Sequence, residues 1–174
     1  MKKLYKKYRY YILPVCLIFI LSFSRIIPHP SNFTPILAVG IFSGFYFKNF
    51  IISAFIVIGS MFVGDLYLGF HNTMFFTYVS LFIAVLLGIL IKYFKFKEII
   101  FSGLASSVSF FIITNLGVWG LSGMYEKNLY GLIQSYTMAI PFFHNTLIST
   151  LIYLVIFKFL FEIAVQKKII KKII

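Results

Sequence analysis

The sequence predicts an all-α, polytopic membrane protein with six transmembrane helices, and three observations carry that prediction. Apolar residues make up 61% of the 174-residue chain and charged residues only 11%, against about a quarter charged in a soluble domain. The apolar residues fall into six runs long enough to be helical spans rather than alternating strands. The basic residues cluster at the ends of those runs, where lysine and arginine anchor helices against anionic lipid. The length accommodates about six spans with tight connections, and so a single integral membrane domain over residues 1–174.

The first run, Tyr10–Phe23, follows Lys2, Lys3, Lys6, Lys7 and Arg9. Its basic start, apolar core and Ser22-Phe23-Ser24 also fit a signal peptide, and cleavage there would leave five spans in the same orientation. Cys16 lies mid-run; a lone thiol makes no internal disulfide and reads as packing. The second run, Pro35–Phe47, is short, and is expected to tilt or to span only partly. Pro28, Pro30 and Pro35 stiffen the connection before it, with Asn32 and Thr34 as turn and cap residues. Asn32-Phe33-Thr34 also matches a glycosylation acceptor, a pattern common by chance.

Phe50–Gly64, Met74–Tyr93, Ile99–Val118 and Pro141–Phe161 are the remaining spans. Tyr130–Phe161 is too long for one crossing, and proline suits a first helical turn, so Leu129–Ala139 is expected as a separate interfacial or re-entrant helix. Gly40 with Gly44, and Ala84 with Gly88, are small-xxx-small pairs, while Gly103, Ser106, Ser107 and Ser109 soften the fifth span. Such residues mark close helix packing more often than ligand contact.

Six spans with both termini on one side give that side fourteen of the sixteen basic residues: Lys2, Lys3, Lys6, Lys7, Arg9, Lys48, Lys92, Lys95, Lys97, Lys158, Lys167, Lys168, Lys171 and Lys172. The other side keeps Arg25 and Lys127. Glu98 and Glu162 join the first side, Asp65 and Glu126 the second, so the net charges are +12 and zero. The positive-inside rule then places both termini in the cytoplasm of an inner-membrane protein. The same clustering argues against nucleic acid as a partner and for the lipid bilayer.

No Gly-Lys-Ser phosphate loop, His-Glu-x-x-His or Gly-x-Ser-x-Gly motif is present, so no nucleotide hydrolysis, cofactor or catalytic group is indicated. Candidate chemistry is confined to polar clusters on the weakly charged side. Arg25 closes the first span and Asp65 the third, where a helix carboxyl end disfavours a carboxylate by a few tenths to about 1 kcal/mol. Something should compensate it: interfacial water, an Arg25–Asp65 pair, or a ligand. His29, His71 and His144 come from three connections and, with Asp65, would be a metal site only if the fold gathered them, since no local spacing signals one. Asn115 and Trp119, four apart, share a helical face that could hydrogen-bond and stack a flat ligand. Gln134, Tyr136, His144 and Asn145 flank Pro141, the last two in the expected first turn of the final helix, whose free N–H groups favour anions; Phe142 and Phe143 read as packing.

The ordered motifs Arg25…Pro28-x-Pro30-x-Asn32-Phe33-Thr34-Pro35-Ile36, Asp65…Leu68-Gly69-Phe70-His71, Thr114-Asn115-x-Gly117-Val118-Trp119 and Tyr136…Ala139-Ile140-Pro141-Phe142-Phe143-x-Asn145 resemble a family of small bacterial six-helix membrane proteins. That family has no established function and is described only provisionally as transport proteins. In layout it looks similar to the S components of energy-coupling-factor transporters, which bind a vitamin or metal from outside and borrow an ATPase module. The resemblance to those subunits is looser. Many carry an Ala-x-x-x-Ala-like face in the first span for docking the coupling subunit, and Leu13-Pro14-Val15-Cys16-Leu17-Ile18-Phe19 departs from it.

The expectation is therefore a transport protein, not an enzyme, that binds an unknown small solute in an outward-facing pocket. It would use Arg25, Asn32, Asp65, His71, Asn115, Trp119, Tyr136 and Asn145, with an energising or coupling subunit as partner. The alternatives are a membrane enzyme with a His/Asp metal centre and a non-catalytic scaffold subunit.

Overall fold

The computed structural model describes residues 16–167. Among them are six helices: α1 Cys16–Ile26, α2 Ile36–Phe47, α3 Phe50–Leu68, α4 Met74–Leu90, α5 Phe96–Leu121 and α6 Leu129–Gln166. Three of these, α3, α5 and α6, are long and apolar enough to cross a membrane. The start of the first expected span, the basic residues Lys2 to Arg9, and Lys168, Lys171 and Lys172 lie outside the described residues. Cys16, expected in the packing, is exposed on the bundle surface.

The short second helix is the hub. Nine of its twelve residues, Ile36–Ile41 and Ser43–Phe45, are buried, and it touches α3, α4, α5 and α6. Its small residues explain how it can sit so deep. A Cβ at Gly44 would collide with the Val85 carbonyl, one at Gly88 with the Ile41 carbonyl, and one at Gly40 would press on Ala84 Cβ at 3.2 Å. The paired glycines let the α2 and α4 backbones meet, as small-xxx-small faces do where lipid supplies no hydrophobic drive to association. The α5–α6 contact uses the same device, with Gly103 under Leu151 and Leu154.

Most of the buried hydroxyls, Ser53, Ser106 and Ser107 excepted, satisfy themselves along their own helices. Ser43, Ser60, Ser80, Thr146, Ser149 and Thr150 donate to carbonyls three or four residues back, so each adds little bulk and no orphan donor. Ser22 instead contacts both Ile18 and, across the interface, the Ser60 carbonyl at 3.2 Å, fastening α1 to α3.

The final helix corrects the expected break. Leu129–Ala139 is not a separate helix, and α6 runs through Pro141 for 38 residues, roughly 57 Å at 1.5 Å per residue. The start signal is Asn128, whose Oδ1 accepts from Gly131 N at 2.9 Å. Pro141 removes one bond to the Thr137 carbonyl, but Thr137 is on the exposed face, and packing against α5 holds the helix together. His144 and Asn145 consequently lie mid-helix and have no free first-turn N–H groups to offer an anion.

Contacts between connections sort the helix ends into two layers. In one, Lys48 Nζ caps α4 by donating to the carbonyls of Ile89 (2.8 Å) and Ile91. There too, Lys158 donates to the Phe94 carbonyl at 3.3 Å and to Glu162 Oε1 at 2.5 Å. An aromatic plug fills this end, with Phe45 stacked on Phe94 at 4.6 Å and Phe42 against Phe157 at 5.2 Å. The opposite layer holds Arg25, Asp65 and the connections before α2, α4 and α6.

Gly88→Val should therefore destabilise the bundle by an amount at or beyond the top of the roughly 1–3 kcal/mol range for overpacking. Gly120→Ala, at a helical site with nothing within 4 Å of the added Cβ, should leave stability unchanged. Reversible unfolding in mixed detergent micelles measures both; equal stability of the two variants would refute the backbone contact.

Candidate ligand cavity

The electrostatic centre of the weakly charged layer is an ion pair between a half-buried arginine and a buried aspartate. Arg25, in the last turn of α1, places Nη2 2.8 Å from Asp65 Oδ1 and donates from Nη1 to the Met61 carbonyl at 2.8 Å. Asp65, in the last turn of α3, is 1% exposed, and its Oδ2 accepts from Tyr78 of α4 at 3.0 Å. The Nη2–Oδ1 contact is close but not aligned as a hydrogen bond, leaving Oδ1 without a donor. At 2.8 Å the Coulomb attraction does not need that alignment, so the pair is read as an ion pair. Gly64 makes room for it, because a Cβ there would strike the Arg25 guanidinium. The carboxylate that the α3 dipole disfavours is thus compensated from α1 and α4.

Arg25 also faces a cavity of about 870 Å³, within the roughly 300–1,000 Å³ of small-molecule sites. The α5 wall is Phe110, Phe111, Thr114, Asn115 and Val118, and the α6 wall is Ser135, Met138, Ala139, Phe142, Phe143 and Thr146. Both follow the spacing of one helical face. The rim comes from connections: His29, Ser31, Asn32 and Thr34 before α2, His71 before α4, and Met124 and Tyr125 before α6. Asn32 turns its connection with φ 62°, a left-handed conformation that asparagine tolerates better than most residues. The expected Asn32/Thr34 cap is absent, since α2 starts at Pro35 with no side-chain cap bond, and both residues face the cavity instead.

Of the eight residues singled out from sequence, Arg25, Asn32, His71 and Asn115 line this cavity. The other four frame it. Asp65 holds Arg25. Trp119 Nε1 donates to the Glu126 carbonyl at 2.9 Å, and Lys127 returns a bond to the Trp119 carbonyl, closing the α5–α6 connection. Tyr136 donates to the Ile112 carbonyl at 2.8 Å, and Asn145 to the Ser31 carbonyl at 3.0 Å, tying α6 to α5 and to the first connection. Phe142 and Phe143, expected as packing, are wall residues, with Phe143 set 4.9 Å from Phe111. The continuous helix puts Ser135, Met138, Phe142 and Thr146 on one stripe.

The histidines do not assemble. His29 and His71 lie on the rim and His144 does not, and among the described residues no three His, Cys, Asp or Glu side chains are grouped to hold a metal.

One family model matches residues 6–172. The chain belongs to DUF6580, a family of unknown function. No curated protein and no solved structure matches it. For this member of DUF6580 the chemistry of the cavity has to be argued from its own walls.

Breaking a buried pair from one side costs about 3–5 kcal/mol, whereas an apolar replacement of both partners is often neutral. Asp65→Ala should lower stability by that amount, and the double variant Arg25→Met/Asp65→Leu should recover most of it. Thermal unfolding of the variants in detergent checks this, and an Asp65→Ala protein as stable as the parent would contradict the pair.

Proposed function

We propose that this protein is a multi-pass inner-membrane transport protein that binds a small solute in the cavity bounded by α1, α5 and α6. The cavity supports this reading most directly. It has apolar aromatic walls and a few convergent polar groups, and it opens among the connections that the charge distribution assigns to the outside. Asn115 donates Nδ2 to the Phe111 carbonyl at 2.8 Å, which leaves its Oδ1 to accept from a solute. The chain carries no nucleotide-binding loop, so ATP-driven uptake would require a partner subunit, and the loose sequence resemblance to S components motivates looking for one. The missing Ala-x-x-x-Ala-like face in the first span means that such a partner would dock by other contacts.

A scaffold reading draws on a different observation: Trp119, Tyr136 and Asn145 are engaged with backbone carbonyls of their own chain. The two readings separate on ligand occupancy. Mass spectrometry of the protein purified in native lipid should find a co-purifying small molecule. Asn115→Leu should lose that molecule while keeping the parent's thermal stability. A repeatedly empty cavity, with Asn115→Leu behaving as the parent, would favour the scaffold.

Both termini are assigned to the cytoplasm by the +12 side of the chain. A fluorescent protein fused after Ile174 should fluoresce, and an exported phosphatase at the same position should be inactive; the reverse result would invert the orientation.

A further inference from the structure

We infer that the cavity takes an organic anion, whose flat apolar body lies between α5 and α6 and whose charged group meets Arg25. This deepens the solute-binding reading and rests on it. The charged and titratable side chains lining the cavity are Arg25, His29, His71 and Tyr125, with no aspartate or glutamate among them. The two acids of this layer are turned elsewhere. Asp65 is 1% exposed behind the guanidinium, and Glu126 Oε2 accepts from Asn128 Nδ2 at 2.8 Å. A cationic solute would find no counter-charge and would face Arg25.

A guanidinium has five N–H donors, and Arg25 commits Nη1 to the Met61 carbonyl and Nη2 to Asp65. The rest remain for a ligand, held in place by the pair behind them. His29 Nδ1 lies 2.9 Å from the Pro30 carbonyl. That oxygen can only accept, so Nδ1 carries the proton and Nε2 is left uncommitted. His71 Nδ1 lies 2.9 Å from Thr73 Oγ1, likewise leaving Nε2 uncommitted. Arg25 from α1 and Tyr125 from the α5–α6 connection are the other titratable groups facing the histidines across the cavity, and α6 presents none. The uncapped start of α2, with Thr34 and Ile36 at the wall, adds the positive end of a helix dipole. Phe110, Phe111, Met138 and Phe143 give the aromatic slot for the body.

The test is calorimetric titration of the full chain in lipid nanodiscs with naphthoate, naphthamide and naphthylmethylamine, which share a body and differ in the polar group. Naphthoate should bind about tenfold tighter than either partner, the ratio expected of a charge-assisted bond. Arg25→Lys, which keeps the charge opposite Asp65, should reduce the preference for carboxylate over amide. Equal or tighter binding of the amide or amine overturns the inference, and so does failure of all three probes. The solute-binding reading itself would then still be decided by the co-purifying molecule.

Discussion

The meeting of the α2 and α4 backbones at Gly40, Gly44, Ala84 and Gly88 is the constraint from which most of the architecture follows. A helix of 12 residues spans only about 18 Å, too little to cross a bilayer core of about 30 Å. It is stable because it is enclosed by its neighbours rather than by lipid. Burying it so completely requires that its partners come close, and only residues without bulk at the crossing allow that. Because α2 ends deep in the bundle, its N-terminus and the connection before it lie at the mouth of the space between α5 and α6. Thr34 and Ile36, at the start of this short central helix, accordingly line the cavity together with residues of the longer α5 and α6.

Charge placement follows a similar economy. Asp65 sits at a helix carboxyl end that disfavours it, Arg25 at one that suits a cation, and the two are paired. The arrangement gives Arg25 two roles that do not compete. Its contacts with Met61 and Asp65 join α1 to α3, while its remaining donors face the cavity. Asp65 acts only through that partner and through Tyr78. A single buried carboxylate therefore couples the position of α1, α3 and α4 to the polar end of the cavity, so the shape of the bundle and the geometry of the site are the same variable.

The sequence was informative where one residue type has one physical use. The small-xxx-small pairs marked close helix packing without naming the partners, and the structure sets the two pairs against each other at the α2–α4 crossing. Arg25 and Asp65 were legible as partners because both broke the charge asymmetry at span ends. Lys48, Lys158 and Glu162, grouped on one side by charge alone, indeed cap and clamp one layer of helix ends. It misled where a residue is ambiguous. Pro141 fits a first turn as well as a helix interior, and only packing against α5 decides between them. That one ambiguity displaced His144 and Asn145 to an imagined N-terminus and hid the Phe142–Phe143 wall. Trp119 and Tyr136 were ambiguous in another way: an aromatic side chain with a polar tip serves stacking and loop anchoring equally well, and here the tips are spent on carbonyls of the same chain.

The framing residues nevertheless bear on the cavity's use. Trp119 closes the α5–α6 connection that carries Tyr125 to the rim, and Asn145 fixes Ser31 beside Asn32. Each bond holds a connection that would otherwise be free to move across the opening, and connections without such ties are the parts of a protein that open most readily. A scaffold would need those bonds to hold its shape, but would have no need of a large space behind them lined on two helices by one continuous stripe each. Rigid walls around a preformed volume are what reduces the ordering penalty of capturing a small molecule. The structural bonds at the rim and the unfilled donors within it are therefore better understood as two parts of one device than as evidence for rival roles.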